Sequence, residues 1–556
     1  MAKIHTLSIT NFRGIKSFHH VFGFSNFVCL IGRGDSGKTT ILDAISLVLS
    51  PSWNLSFYDT DFHETNVNEP LIIEASLYDI PSSLLKETKY GLYIRGLDKS
   101  TGAIHDEIDD HHIPALTIRL FVEKDLEPKW YIIDGRHDNM EIRSADRAAL
   151  NVYLVSEYLD RHFSWNKGNP LYALLKQDEM EREKKDIFID AFREAKARID
   201  ESDFTHLEMV EKRIKTSAQK LGIDIDNATT TIDLKDIIIR DGRICLHEDK
   251  IPFRLKGKGS KRLISIAIQM ELANNGGILL VDEIEQGLEP DRAQHLANFL
   301  KHNNTGQVFL TTHSSAVLVE LAAVDLYKMV RGGTGLFKLT ADLQGLVRKN
   351  PEAFFARRVM VCEGLTEMGI CRALNNERMA KKELSAALKG IRVANGSGTT
   401  LISYASGLRQ AGYPTALFCD ADVADINNQK AALRATGVEI IDPEDGHCIE
   451  AQLFKDLPWA GVRELVAYQV SSSDEQSVKQ SVAAQFGKTL SEKWLETDSE
   501  DLRTALAKAS CVKNKEWFKR MDHGEEVGRV CFKYLSSMPD CRLKAMLTAL
   551  NNWFDA

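Results

Sequence analysis

The chain has no apolar run long enough to cross a membrane, and its opening MAKIHTLSIT lacks the charged-then-apolar layout of a secretory leader. A cytoplasmic protein without a membrane partner is the expectation. Nor is there an excess of positive charge: 70 Lys and Arg against 79 Asp and Glu leave a net charge of −9. The molecule as a whole does not attract nucleic acid. Any such contact must come from bound metal or from local patches such as RLKGKGSKR (254–262) and VKNKEWFKR (512–520). The 9 cysteines form no CxxC pair and have no histidines at zinc spacing, which fits scattered free thiols in a reducing compartment. No internal repeat is visible.

What is present is a chain of changing texture. At 556 residues it exceeds one ordinary core, so two to four domains are expected. Residues 2–10 and 26–31 read as strands, and an amphipathic helix runs from Lys38 to about Leu49. Alternation in LIIEASLYDI (71–80) and ALTIRLFVEKD (115–125) predicts an antiparallel sheet. From near Pro170 to about Leu221 the chain is charged, free of proline and helical in period, a surface on which a second copy can pack. Strand texture returns at 233–246, two α/β stretches follow, and the last hundred residues are mostly helical. The expected domains are 1–169, a helical insertion over 170–228, 229–348, 352–460 and 461–556.

GRGDSGKT, Gly32 to Thr39, fits G-x-x-x-x-G-K-[ST] between a strand and a helix, the setting of a phosphate cradle. Gly32, Arg33, Gly34, Asp35, Ser36 and Gly37 turn main-chain N–H groups toward phosphate oxygens at the helix N-terminus. Lys38 reaches the outer phosphates, and Thr39, with Thr40 beside it, serves the nucleotide and its Mg²⁺. In GILLVDEIEQGLEPD (277–291) an apolar strand brings Asp282 to its tip for the Mg²⁺ shell, and Glu283 is set to polarise the attacking water. QVFLTTHSS (307–315) is a further strand, ending near His313. Upstream, in LKGKGSKRLISIAIQMEL (255–272), a Gly-Ser turn opens a helix.

That order of motifs resembles the ABC-type ATPases of the SMC and RecF group. The resemblance implies ATP with one Mg²⁺ and a His313 that senses the γ-phosphate. It also implies that Ser260 of one subunit closes over ATP held by another, hence a homodimer or higher homo-oligomer. LKGKGSKR departs from the LSGG-type segment usual in that group.

A second constellation follows. RRVMVCEGLTEMG (357–369) ends an apolar run in Glu363-Gly364 and carries Glu367 four residues on; PTALFCDADVAD (414–425) ends another in Asp420-Ala-Asp422; GHCIEAQLF (446–454) adds Glu450. In an extended tail, residues i and i+2 project to one side, so Asp420 and Asp422 are expected to face one cation. Carboxylates crowded at neighbouring strand tips repel one another, and a divalent ion removes the conflict. Oxygen ligands suit Mg²⁺ or Mn²⁺, and the extra Glu367 supports two ions.

This unit resembles the Toprim domain, and the whole chain resembles the OLD family of ATP-dependent nucleases. The implied fold is α/β: an ABC-type (SMC/RecF-like) P-loop ATPase with a helical insertion, then a Toprim α/β domain, then a helical C-terminal region that completes the nuclease site. The implied activity is ATP-regulated cleavage of DNA phosphodiesters with two Mg²⁺ or Mn²⁺ ions on Glu363, Glu367, Asp420, Asp422 and Glu450. The setting is antiphage defence, with an accessory defence protein as a candidate partner. A late lysine is implied as stabiliser of the charged transition state: Lys519, with Lys513 and Lys515 as rivals. RNA as the substrate, and an SMC/RecF-like DNA clamp that binds without cutting, stay open as alternatives.

Overall fold

The structure, a computed structural model, describes residues 2–155, 162–163, 246–248, 250–273, 276–303, 306–330 and 332–555, with isolated positions between 170 and 212. The chain divides into two compact units, Met1–Leu154 with Gly276–Ala556, and Val155–Asn275. The helical run expected over 170–228 and the strand expected over 233–246 fall outside the described residues, apart from those isolated positions and Leu246. The second unit also takes in residues 229–275, which were expected to belong with the 229–348 segment, and with them Ser260.

In the first unit the opening strand Lys3–Phe12 pairs antiparallel with Ile15–Val21 on one side and Leu71–Tyr78 on the other. Leu71–Tyr78 pairs in turn with Ile113–Val122. The alternation read in these segments serves an antiparallel sheet, buried on one face.

A second sheet has the order Val152–Val155, Ile278–Val281, Gln307–Thr311, Phe27–Ile31, Leu326–Met329, Leu336–Lys338. From Ile278–Val281 to Leu326–Met329 its strands are parallel. A parallel sheet is covered on both faces, and so FVCLI, ILLV and QVFLT are buried at every position. The strand ending at Thr311 lies between the one that feeds the phosphate cradle and the one that delivers Asp282.

A third sheet is parallel throughout, in the order Ile391–Asn395, Arg358–Cys362, Thr415–Phe418, Glu439–Ile441. The helix Leu365–Ala380 follows the second of these strands, and Met521–Tyr534 packs along it. Their approach depends on glycine. A Cβ on Gly369 would lie 2.5 Å from the Glu525 nitrogen, and one on Gly524 2.5 Å from the Thr366 carbonyl oxygen. One hydrophobic core runs from the third sheet into the C-terminal helices, joining Met360, Phe418 and Ile449 to Phe518, Val527 and Leu547.

In the second unit, Phe163 stacks on Phe253 at 6.0 Å, and its carbonyl accepts the Leu246 N–H. Ser260 lies in the first turn of the helix Lys258–Ala273. No helix among the described residues is long and apolar enough to cross a membrane.

Candidate functional site

Two clusters of polar groups sit at the ends of parallel strands, where chain direction places loops rather than packed side chains. The first surrounds the turn from Phe27–Ile31 into the helix Lys38–Val48. Gly32 has φ +147° and Gly37 φ +98°, backbone that a side chain would strain. Lys38 is buried beneath this loop, and its Nζ donates to the carbonyls of Gly32 at 3.2 Å and Arg33 at 2.9 Å. Burial pulls the Lys38 ammonium below its ordinary pKa, against the opposing charges of Asp282, Glu283, Glu285 and Asp35.

Across the sheet, Asp282 Oδ1 accepts from Thr39 Oγ1 at 3.2 Å and from Thr311 Oγ1 at 2.6 Å. A strand-tip aspartate and a first-turn threonine are thus joined, as a shared cation would require. Glu283 has φ +45°, and its N–H donates to Thr311 Oγ1 at 2.7 Å. Sequence reasoning passed over Glu285, which accepts from Thr312 Oγ1 at 2.7 Å and from the His313 N–H at 2.5 Å. Its spacing, two residues past Glu283, was the available signal. His313 is exposed to solvent; partial desolvation and Lys38 lower its pKa, while Glu285 and Asp282 oppose them.

Next to this loop a pocket is lined by Arg33, Gly34 and His313 on one side and by Phe355, Gly390 and Arg392 on the other. Gly390 has φ +75°, and a Cβ there would come within 1.9 Å of Arg33 Nη1. A side chain of the phosphate cradle therefore rests on the residue that opens the edge strand of the third sheet.

The second cluster lies at the tips of Arg358–Cys362 and Thr415–Phe418. The Glu363 N–H donates to the Phe418 carbonyl at 3.0 Å, so pairing continues to the last residue before the turn. The Asp420 N–H donates to Glu363 Oε2 at 3.0 Å, and Asp420 Oδ1 accepts the Ile449 N–H at 2.7 Å. Glu367 does what a first-turn acid ordinarily does, accepting the Gly364 N–H at 2.8 Å, yet it is buried and faces the other acids.

Burial, with the charges of Glu450 and Glu363 behind it, pushes the Glu367 carboxyl up to about 7. Burial and then Glu367, Glu450 and Glu363 push Asp420 to about 9. Glu450 is buried, and its Oε1 has no hydrogen-bond partner among the described residues. Lys519 Nζ is 3.6 Å from that atom, beyond a hydrogen bond, and Glu450, Asp420 and Glu367 raise the lysine's pKa against its desolvation. Lys513 and Lys515 are exposed.

Glu363, Glu367, Asp420, Glu450 and Lys519 are thus drawn together. Asp422 is not, because the chain there is a turn rather than an extended tail. Ala421 exchanges backbone hydrogen bonds with His447 and Gly446, leaving Asp422 exposed. Two further residues were missed. Lys430 and Asp442 form a buried ion pair at 3.0 Å, and Lys430 Nζ also donates to the Asp420 carbonyl at 2.8 Å, fixing the strand tip from behind.

The unpaired oxygen of Glu450, together with two carboxyls driven toward protonation by burial and then by their neighbours, fits an oxygen-ligated divalent cation. Likewise Thr39 and Asp282 fit one beside a nucleotide.

Comparison with known proteins gives two family matches. Residues 2–318 match the AAA ATPase domain, and residues 354–422 match the Overcoming lysogenization defect protein-like TOPRIM domain. Structural maintenance of chromosomes protein 1 of Caenorhabditis elegans is 37% identical over 71 residues, 12% of this chain and 6% of that protein. An ATP/GTP phosphatase of Helicobacter pylori is 32% identical over 106 residues, 18% of this chain and 28% of that protein. The chain thus spans well under two thirds of either relative.

Among solved structures, the Pyrococcus furiosus Smc head domain bound to the C-terminal domain of ScpA aligns with TM-score 0.34 and 14% identity over 61% of this chain and 97% of that one. RecF with ATP aligns with TM-score 0.32 and 13% identity over 61% and 99%.

Proposed function

Since the chain belongs to the AAA ATPase domain family and carries an OLD-like TOPRIM domain behind it, we propose that it is an ATP-regulated, metal-dependent endonuclease that cuts DNA phosphodiesters. The observation that carries this reading is the cluster of Glu363, Glu367, Asp420 and Glu450 with Lys519, in which Glu450 Oε1 is buried without a hydrogen-bond partner among the described residues.

Glu363, Glu367, Asp420 and Glu450 would hold the metal, enough carboxylates for two Mg²⁺ or Mn²⁺ ions; Asp422 would serve only if the turn that exposes it rearranged. Bound divalent ions supply charge neutralisation and activation of water for an in-line displacement. The chain's own contribution is positional. Glu363 ties two strand tips together, Lys430 braces Asp420, and Lys519 presents a cation where charge develops on the phosphate.

In the nucleotide half, Lys38 exchanges its carbonyl partners for phosphate oxygens, and Glu283 orients the attacking water. His313 lies beside both Lys38 and the pocket that reaches Gly390, so the γ-phosphate is sensed where the two halves meet. Ser260 of a second copy closes the nucleotide site, which makes the working form a homodimer or larger. The biological setting we assign is cytoplasmic defence against phage or foreign DNA.

The test is incubation of purified protein with plasmid DNA, linear DNA and tRNA, with Mg²⁺ or Mn²⁺, with and without ATP. Wild type is compared with Glu363→Ala. Cleavage of DNA that depends on metal and is lost in the variant is expected. Cleavage of tRNA alone would redirect the substrate to RNA, and binding without cleavage would leave a DNA clamp.

A further inference from the structure

At the rim of the carboxylate cluster two cysteines meet. Cys448 is the residue that opens the helix Ile449–Asp456, and its Sγ accepts the Ala451 N–H at 3.4 Å. Glu450 sits in the first turn of that helix. Cys511 closes the helix Glu500–Ser510, and the chain then runs on to Lys519. The two sulfurs are 3.3 Å apart, although 63 positions separate the residues in sequence. A carboxylate oxygen of Glu450 lies within 4.8 Å of both.

Access distinguishes this pair from the other neighbouring pair among the described cysteines. Cys362 and Cys371 are also neighbours, at 3.9 Å, but both are buried, as are Cys29, Cys419 and Cys531. Cys448 is half-buried and Cys511 exposed, so a small oxidant in solvent reaches them.

We propose that Cys448 and Cys511 close a reversible disulfide that controls the carboxylate site, by tying the helix of Glu450 to the segment that leads to Lys519. The oxidant is hydrogen peroxide. One thiol is oxidised to a sulfenic acid as the peroxide O–O bond breaks and water leaves. The second thiol attacks that sulfur, the S–S bond forms and a second water leaves, so two protons and two electrons pass from the pair to the peroxide. A dithiol reductant reverses the step.

A disulfide needs about 2 Å between sulfurs, so the pair must draw together by roughly 1 Å. That movement takes Cys448 Sγ from the Ala451 N–H and drags the first helical turn, with Glu450, relative to Lys519. A misplacement of about 1 Å near reacting groups can cost ~10²-fold in rate. ATP hydrolysis uses residues of the other cluster and is spared.

The effect on cleavage rests on the nuclease reading above; the crosslink itself does not. Full-length protein is treated with hydrogen peroxide and analysed by intact mass and non-reducing peptide mapping, then returned to dithiothreitol. The expected result is a loss of two hydrogens per chain and a peptide joined through Cys448 and Cys511. Cleavage should fall about tenfold or more and recover on reduction. Cys511→Ser and Cys448→Ser should neither crosslink nor lose cleavage. Sulfinic acids in place of a crosslink, a zinc ion retained by the two thiols, or a crosslinked protein that cuts at the reduced rate would each overturn the proposal. A reduced protein that cuts nothing would fail the nuclease reading instead, and the peptide map would still decide the crosslink.

Discussion

The carboxylate of Glu363 accepts the backbone N–H of Asp420 at 3.0 Å, so the first acid of the cluster also fixes the strand tip that carries the second. Glu363→Gln keeps an oxygen for that hydrogen bond and loses the charge; Glu363→Ala loses both. Both variants should lose metal-dependent cleavage by ~10³-fold or more while ATP hydrolysis continues. Only the alanine should also lower thermal stability, by about 1 kcal/mol. Cleavage by the glutamine variant at wild-type rate would remove Glu363 from the metal shell.

Metal affinity should depend on pH with a definite sign. Glu367 and Asp420 hold protons up to about 7 and about 9, chiefly through burial. A cation must displace those protons, so apparent Mn²⁺ affinity should climb between pH 6 and 9, by up to about tenfold per unit for each proton released. Without metal the folded state binds more protons than the unfolded chain above pH ~4, so stability in EDTA should fall as pH rises through the same window. Titration calorimetry and melting curves read the two trends; a flat affinity profile would contradict the arrangement.

In the nucleotide half, Lys38→Ala should abolish ATP binding, while Glu283→Gln should bind ATP and fail to hydrolyse it. Glu285→Ala removes the acceptor for Thr312 Oγ1 and the His313 N–H. It should slow hydrolysis by roughly tenfold, the scale of one displaced catalytic group. Unchanged turnover in Glu283→Gln would take that residue out of its role.

The contact between Arg33 and Gly390 predicts a separation of functions. In Gly390→Ala the new methyl group meets Arg33 Nη1 and sits in backbone of positive φ. The response of cleavage to ATP should be lost, while cleavage without nucleotide persists. Equal loss of both activities would point to misfolding rather than coupling.

Gly524→Leu should separate the helices Leu365–Ala380 and Met521–Tyr534, at a cost of about 1–3 kcal/mol, and carry Lys519 away from Glu450. Cleavage should fail in protein that still folds by circular dichroism and still hydrolyses ATP.

Much of this was legible because apolar strands ending in Glu, Asp or Gly announce themselves. Glu363, Asp420 and the turn that leads to Lys38 all stand at such punctuation, and Glu450 in the first turn of an apolar helix. Asp422 lies exposed outside the cluster because spacing of i and i+2 assumes an extended chain, and the bend at Ala421 depends on His447, distant in sequence. Glu285, Lys430 and Asp442 were missed because a charge on a helix or loop reads as solvated until tertiary packing buries it. The glycines at 369 and 524 likewise gain their meaning only from a helix on the other side of the contact.

The dependence of the carboxylate cluster on Lys519 has a consequence for the order of synthesis. Chains emerge N-terminus first and their domains fold as units. Glu363, Glu367, Asp420 and Glu450 are all made before the lysine that faces them and before the helix that buries them. A chain stalled between Glu450 and Lys519 would hold four crowded acids without Lys519 and without the Met521–Tyr534 helix against Leu365–Ala380. The nascent protein therefore carries its phosphate cradle long before the carboxylate cluster is complete, and a truncated product lacks that cluster's cation.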